Sequence, residues 1–263
     1  MLRSMYSGVS GLRNFQTKLD VIGNNIANVN TYGFKKGRTT FKDLISQTSA
    51  GAGGATDTMG GTNPKQIGLG SAVASIDTIA DQSSLQTTNR VLDLAIEGDG
   101  YFEVTKNGET MYTRSGNFYL DSNGALVTSD GAYIQAAGSG NINIPAEATE
   151  VSISQDGTVN AIVGGQLTPL GQIGVTKFIN PGGLTKVGAN FFKPSANSGA
   201  PSEEKTPGVE GNGVIQSGFL EMSNVDMSEE FTEMIIAQRA FQANSRIITT
   251  SDEILQELVN LKR

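Results

Sequence analysis

Carboxylates are the residues of this chain best placed to do chemistry. Asp93, Glu97 and Asp99 fall close together, and in a strand–turn reading Asp93 and Glu97 share a face. Two carboxyl groups about 5 to 9.5 Å apart can hydrolyse a glycosidic bond. The same stretch reads more simply as structure: Glu97-Gly98-Asp99-Gly100 is a tight turn between strands over Leu92–Ile96 and Tyr101–Val104. Asp121-Ser122-Asn123-Gly124 resembles the opening of a calcium loop, but the late acidic ligand is missing, since position 132 is Ala. The chain has no His, which removes serine–histidine catalysis and most zinc sites, and no Cys, which removes thiolate chemistry. Gly68-Leu69-Gly70 lacks the third glycine and the βαβ setting of a phosphate-binding turn. No catalytic, cofactor or metal residue is therefore assigned, and no enzyme activity is expected.

Charge narrows the partners. The formal net charge of −7 argues against nucleic acid, which needs a basic face to displace counterions. One basic cluster, Lys35, Lys36, Arg38 and Lys42, is expected to be a solvated segment that complements a helix C-terminal dipole. No apolar run is long enough to span a membrane, so no insertion is expected. The opening MLRSMYSGVSGLRNF has no continuous apolar region of the secretory kind. The expectation is a cytoplasmic protein, or one exported by a route that needs no cleaved signal.

The elements around these residues divide sharply. From Met1 onwards, Met5, Val9, Leu12, Phe15, Leu19, Ile22 and Ile26 step by three or four, the period of a helix over about Leu2–Ala27. Gly8, Gly11 and Gly23 each cost that helix up to about 1 kcal/mol relative to Ala, so packing must hold it. Gly33 is a plausible left-handed terminator beyond Asn24, Asn25, Asn28 and Asn30. At the other end Met227, Met234, Phe241, Ile248 and Leu255 recur every seven residues, with Ile247, Ile254, Leu258 and Leu261 beside them. Asp226 caps this second helix, Glu229 completes a capping box, and Lys262 and Arg263 suit its end. Gln238, Ser245 and Asp252 lie along its would-be seam, a mixture that suits shallow packing against several neighbours.

Between the helices the chain is turn-rich and β-branched. Strands are expected at Asn117–Leu120, Val151–Ile153, Thr158–Val163, Gln172–Phe178 and Val214–Glu221, with turns at Asn107-Gly108, Asn123-Gly124, Asp130-Gly131 and Asp156-Gly157. Residues 46–72 are dominated by Gly, Ala, Ser and Thr and are expected to form a flexible loop. The fold class is mainly β with long N- and C-terminal helices that pair. Its expected domains are a helical one over 1–45 and 222–263, the loop 46–72, and a Gly-rich β domain over 73–221.

Four segments resemble the bacterial flagellar hook and rod family of axial proteins. They are Leu19 to Lys35, Leu92 to Phe102, Tyr112 to Leu126, and Gly218 to Asp226 continuing through Met234 to Asn244. The motif residues include Asn24, Asn25, Asn28, Gly33, Phe34, Gln238, Arg239 and Asn244. The resemblance implies a non-enzymatic tube subunit, a helical homopolymer whose terminal helices line an export channel, with the β domain outside. Met5, Val9, Leu12, Leu19, Ile22 and Ile26 would then form the assembly interface with Met227, Met234, Phe241, Ile248, Leu255 and Leu258.

The implied partners are other copies and neighbouring rod, hook-cap and hook–filament junction proteins. The implied route is the flagellar type III apparatus, and the implied place is the hook or basal body. The glycine content of 46–72 suggests compliance between subunits, which favours the curved hook over the alternative, the distal rod. A more distant alternative is a secreted carbohydrate-active or adhesive β protein using Asp93 to Asp99.

Overall fold

The computed structural model describes residues 2–56, 59–138 and 140–261. Among these the chain forms two α-helices, α1 at Leu2–Ala27 and α2 at Met227–Leu261, with short strands between them. At about 1.5 Å per residue α2 is about 52 Å long, and it runs without a break. Its start is set by Asp226, whose Oδ1 accepts the backbone N–H groups of Ser228 at 2.8 Å and Glu229 at 3.2 Å. Lys262 and Arg263, the expected terminal cations, lie outside the described residues.

The chain divides into two compact units. The first comprises α1, the segment Gly37–Asp77 and α2; the second comprises Asn28–Lys36 and Thr78–Val225. Residues 28–36, expected to belong with the helices, therefore group with the β body, while 46–77 group with the helices. In the first unit Gly37–Asp43 pairs with Ser71–Thr78, and Phe41 packs its ring on Phe15 of α1 with centroids 5.7 Å apart. Residues 46–72, expected as a flexible loop, carry a two-stranded antiparallel ribbon: Ser46–Ala50 pairs with Lys65–Gly68 in the register Gln47↔Ile67. The glycines at 51, 53, 54, 60 and 61 lie beyond the two strands, whose residues other than Gly68 keep side chains, and Gln66 Nε2 bonds across to Thr48 Oγ1 at 3.2 Å.

The second unit is built on an eight-stranded sheet. Its neighbours run Thr185–Gly188, Phe191–Lys193, Glu109–Thr113, Tyr101–Lys106, Tyr133–Ile134, Leu126–Thr128 and Phe118–Leu120, and Val175–Thr176 also pairs with Tyr101–Lys106. Ala148–Ile153, Thr158–Val163 and Gln166–Gln172 make a separate three-stranded sheet. Phe102, Phe118, Ile96, Ile134, Ile173 and Ile215 form the main core, with Phe102 and Phe118 edge to face at 5.2 Å. Tyr101, Tyr112, Phe178, Leu184 and Phe192 form a second cluster.

Two expected strands are split. Gln172–Phe178 divides between the two sheets. Val214–Glu221 divides at Gly218, where φ is +82 and the N–H turns to donate to the Asp93 carbonyl at 2.8 Å. Its first half pairs with Leu94–Glu97 and its second with Leu85–Thr87.

Candidate functional site

The two helices expected from periodicity and capping lie against each other. Gly8 of α1 lies against Ile247 and Ile248, Gly11 against Asn244, Lys18 against Glu233 and Asn25 against Glu230. Rising numbers on α1 meet falling numbers on α2, so the helices are antiparallel. The approach is close: a Cβ on Gly11 would stand 2.9 Å from Asn244 Nδ2. Close packing explains Gly11, whereas a Cβ on Gly8 would meet its neighbours at ordinary contact distances of 3.5 Å. Gly23 is exposed and has no atom within 4 Å of where its Cβ would be.

The seam of α2 is not the one expected. Glu230, Ala237 and Ser251 are its buried residues, with Asn244 half-buried between them, each seven residues from the next. The expected seam polar residues Gln238 and Asp252 are exposed, and Ser245 is half-buried. The difference has a physical cause: small or self-satisfied side chains let the backbones close in. Asn244 Nδ2 donates to the Ala240 carbonyl at 3.0 Å and Ser251 Oγ to that of Ile247 at 2.7 Å, so both bond within their own helix. Glu230 takes its bond from Asn25 Nδ2 at 3.1 Å, and Asn25 also exchanges two 2.9 Å bonds with the backbone of Gly37. Asn25 therefore ties the end of α1 both to α2 and to the start of the next strand.

The larger apolar residues flank this seam. Ile22 is buried; Met5, Leu12, Leu19, Ile26, Met234, Ile248 and Leu255 are half-buried; Val9, Met227, Phe241 and Leu258 are exposed. Further apolar residues of α2, Phe231, Ile235, Ile236, Ile247, Ile254 and Val259, are also exposed, with Ile235 at 59%. So many large apolar residues left in water on one helix mark an interaction surface. Gln238 and Arg239 of the family motif are exposed on the same helix, and Asn24 is exposed on α1.

The second unit holds a constellation that sequence reasoning missed. Glu221 is buried to 1% exposure, and Oε1 accepts from Lys35 Nζ at 2.7 Å and from the Ser83 N–H at 3.0 Å, while Oε2 accepts from Arg114 Nε at 2.5 Å. Lys35, expected to be solvated, is also 1% exposed and donates to the Asp81 carbonyl at 2.7 Å. Arg114 spends its remaining fork on the carbonyls of Ile96 at 3.1 Å, Gly98 at 2.6 Å, and Gly100. Burial alone pushes the Glu221 carboxyl up, but Arg114 and Lys35 outweigh it and hold the carboxyl below 4.5. Burial likewise lowers Lys35, against the pull of Glu221.

Gly33 belongs to this cluster and is not the helix terminator expected of it. The helix ends at Ala27; Gly33, at φ +69, donates its N–H to the Glu221 carbonyl at 2.9 Å. A Cβ there would stand 2.6 Å from the Ser115 nitrogen, so only glycine fits. Phe34 is buried beneath the Lys186 ammonium, 4.9 Å from its ring centre, and Asn28 Oδ1 accepts from the Thr31 hydroxyl at 3.2 Å. The signal for Arg114 and Glu221 was present, since both lie in quoted motif segments; nothing local marked them as a buried pair.

The candidate carboxylates scatter. Asp93 is buried against Arg90 at 2.9 Å, exposed Glu97 accepts from Gln216 at 2.9 Å, and Asp99 meets Lys177 at 3.2 Å on the surface. Gly98 and Gly100 have φ of +108 and +138, as the turn requires. The strands this turn joins do not pair with each other, since Leu94–Glu97 pairs with Val214–Ser217 and Tyr101–Lys106 with Glu109–Thr113. At Asp121, Gly124 N–H closes an ordinary turn onto the Asp121 carbonyl at 2.9 Å.

Three family descriptions match along the chain. These are "Flagella basal body rod protein" over residues 5–35, "Flagellar hook protein FlgE/F/G D1 domain" over 95–161, and "Flagellar basal body rod FlgEFG protein C-terminal" over 216–261. The chain is 60% identical to the flagellar basal-body rod protein FlgG of Bacillus subtilis (strain 168) over the full length of both. It is 43% identical, again over the full length of both, to the rod protein FlgG of Borreliella burgdorferi. The flagellar hook protein FlgE of that organism is 31% identical over an alignment of 442 residues. With its terminal helices and β body in the same order as those matches, the chain belongs to the flagellar hook and basal-body rod family, as a structural axial protein and not an enzyme.

Proposed function

We propose that the chain is a subunit of the distal rod of the flagellar basal body. The observation that carries this reading is the end-to-end match with rod proteins, 264 aligned residues at 60% identity, where the match to a hook protein must stretch over 442 residues at 31%. The glycine content of 46–72 pointed toward the hook through compliance. Its paired ribbon at Ser46–Ala50 and Lys65–Gly68 is stiffer than a free loop and removes that support. In this reading the exposed apolar rows of α1 and α2 are covered by further copies and adjoining axial proteins, and the subunit leaves the cell through the flagellar export apparatus.

Electron microscopy of basal bodies from a strain lacking the protein tests the assignment. Shafts that stop short support the rod. Complete rods that lack only their hooks would return the function to the hook. Deleting residues 1–30 or 226–263 should abolish polymerisation of the purified protein, and tubes formed by either truncation would refute the role given to the helices.

A further inference from the structure

A cavity of about 300 Å³ lies within the second unit, lined among others by Lys35, Asp99, Tyr101, Arg114 and Lys177. Its charge is unbalanced. The buried Lys35 and Arg114 bring two cations and the buried Glu221 behind the wall brings one carboxylate, which leaves one positive charge, while Lys177 and the exposed Asp99 pair with each other at the mouth. Asp81, whose charge reaches Lys35 most weakly, is exposed to solvent. A buried charge without its counterpart is costly, so this wall favours a single negative charge.

Donors remain for such a group. The Lys35 ammonium has three hydrogens and makes two bonds; the Arg114 guanidinium has five and makes four. Tyr101 is 5% exposed as a residue, and its hydroxyl, which reaches solvent, makes no hydrogen bond among the described residues. Tyr101 lines the same cavity as Lys35, Asp99 and Arg114. Burial pushes its hydroxyl up to about 12, so it stays a proton donor at any physiological pH.

We propose that this cavity binds a carboxylate group, held by the Tyr101 hydroxyl and the free hydrogens of Lys35 and Arg114, with Lys177 at the entrance. A carboxylate matches the single excess charge, whereas a phosphate dianion would reverse it. The group comes either from a small carboxylic acid or from an acidic side chain of a second copy, and the two sources separate experimentally.

The test titrates isotope-labelled acetate into the full chain, followed by its carbon resonance, with chloride holding the ionic strength constant. Saturable binding is expected, weakened about tenfold by Tyr101→Phe, which keeps the ring on Phe178 and Phe192. Lys177→Met, at a half-buried position on the rim, should weaken it independently should Tyr101→Phe disturb the fold. If the source is a small acid, polymerised protein binds acetate as the monomer does. If it is a second copy, only the monomer binds and acetate slows polymerisation. Absence of saturable binding, or binding that both variants leave unchanged, overturns the proposal.

Discussion

Replacing Glu221 with Gln keeps the shape of the side chain and removes its charge, which isolates what the buried carboxylate does. In the native protein Glu221 neutralises one of two buried cations, and both Lys35 and Arg114 donate to it. The amide has one acceptor oxygen, so one cation gains an N–H facing its own N–H, and two positive charges remain with no counter-ion. Breaking a buried pair in this way costs about 3–5 kcal/mol. Against a typical stability of about 5–15 kcal/mol that is a large fraction, and for a unit of this size it lowers the thermal midpoint by roughly 6–20 °C. Lys35→Met provides the internal control. It leaves Arg114 and Glu221 as a balanced pair and removes charge-assisted bonds to Glu221 and the Asp81 carbonyl, a loss of about 2 kcal/mol. Glu97→Gln, at an exposed carboxylate, should stay within about 0.5 kcal/mol of the native protein. Urea unfolding followed by tyrosine near-ultraviolet dichroism ranks the three. A Glu221→Gln cost no greater than that of Lys35→Met, or equal to that of Glu97→Gln, would refute the charge argument.

Acid gives a second measurement on the same group. The folded Glu221 carboxyl is held below 4.5, so its stabilisation is fully present above that pH and is lost as pH falls through the lower folded value. The urea midpoint of the native protein should therefore drop more steeply below about pH 4.5 than that of Glu221→Gln. On α1, two glycines should respond with opposite signs. Gly23→Ala meets open space and should stabilise the chain by up to about 1 kcal/mol through helix propensity. Gly11→Leu drives atoms into Asn244 and should destabilise it by about 1–3 kcal/mol, read from the helical signal in urea.

Periodicity was enough to find both helices, because an amphipathic stripe is a local property: α1 ends at Ala27 and α2 begins after Asp226, as spacing and capping indicate. The turns at Asn123-Gly124 and around Gly98 were equally legible, since positive φ has few residue types to serve it. The α2 seam was misplaced because apolar spacing marks where large side chains sit. Close helix approach instead selects small or self-bonded ones such as Ala237, Asn244 and Ser251, and together with Glu230, which bonds Asn25, they carry no large apolar side chain to count. The hairpin in 46–72 was hidden by composition, as most of the glycines that dominate the stretch lie towards its far end, with only Gly68 in the ladder of the two strands and Gly53 in a bridge beyond it.

What the amino-acid order determined by itself is the set of local elements and, through its long motifs, the family. Only the tertiary structure decided that Lys35, Arg114 and Glu221 meet, across 107 and 186 positions of chain. Each of those side chains taken alone is an ordinary surface residue. Burial turns them into a paired cluster, and burial is set by which distant strands pack over them, a relation that no window of sequence contains.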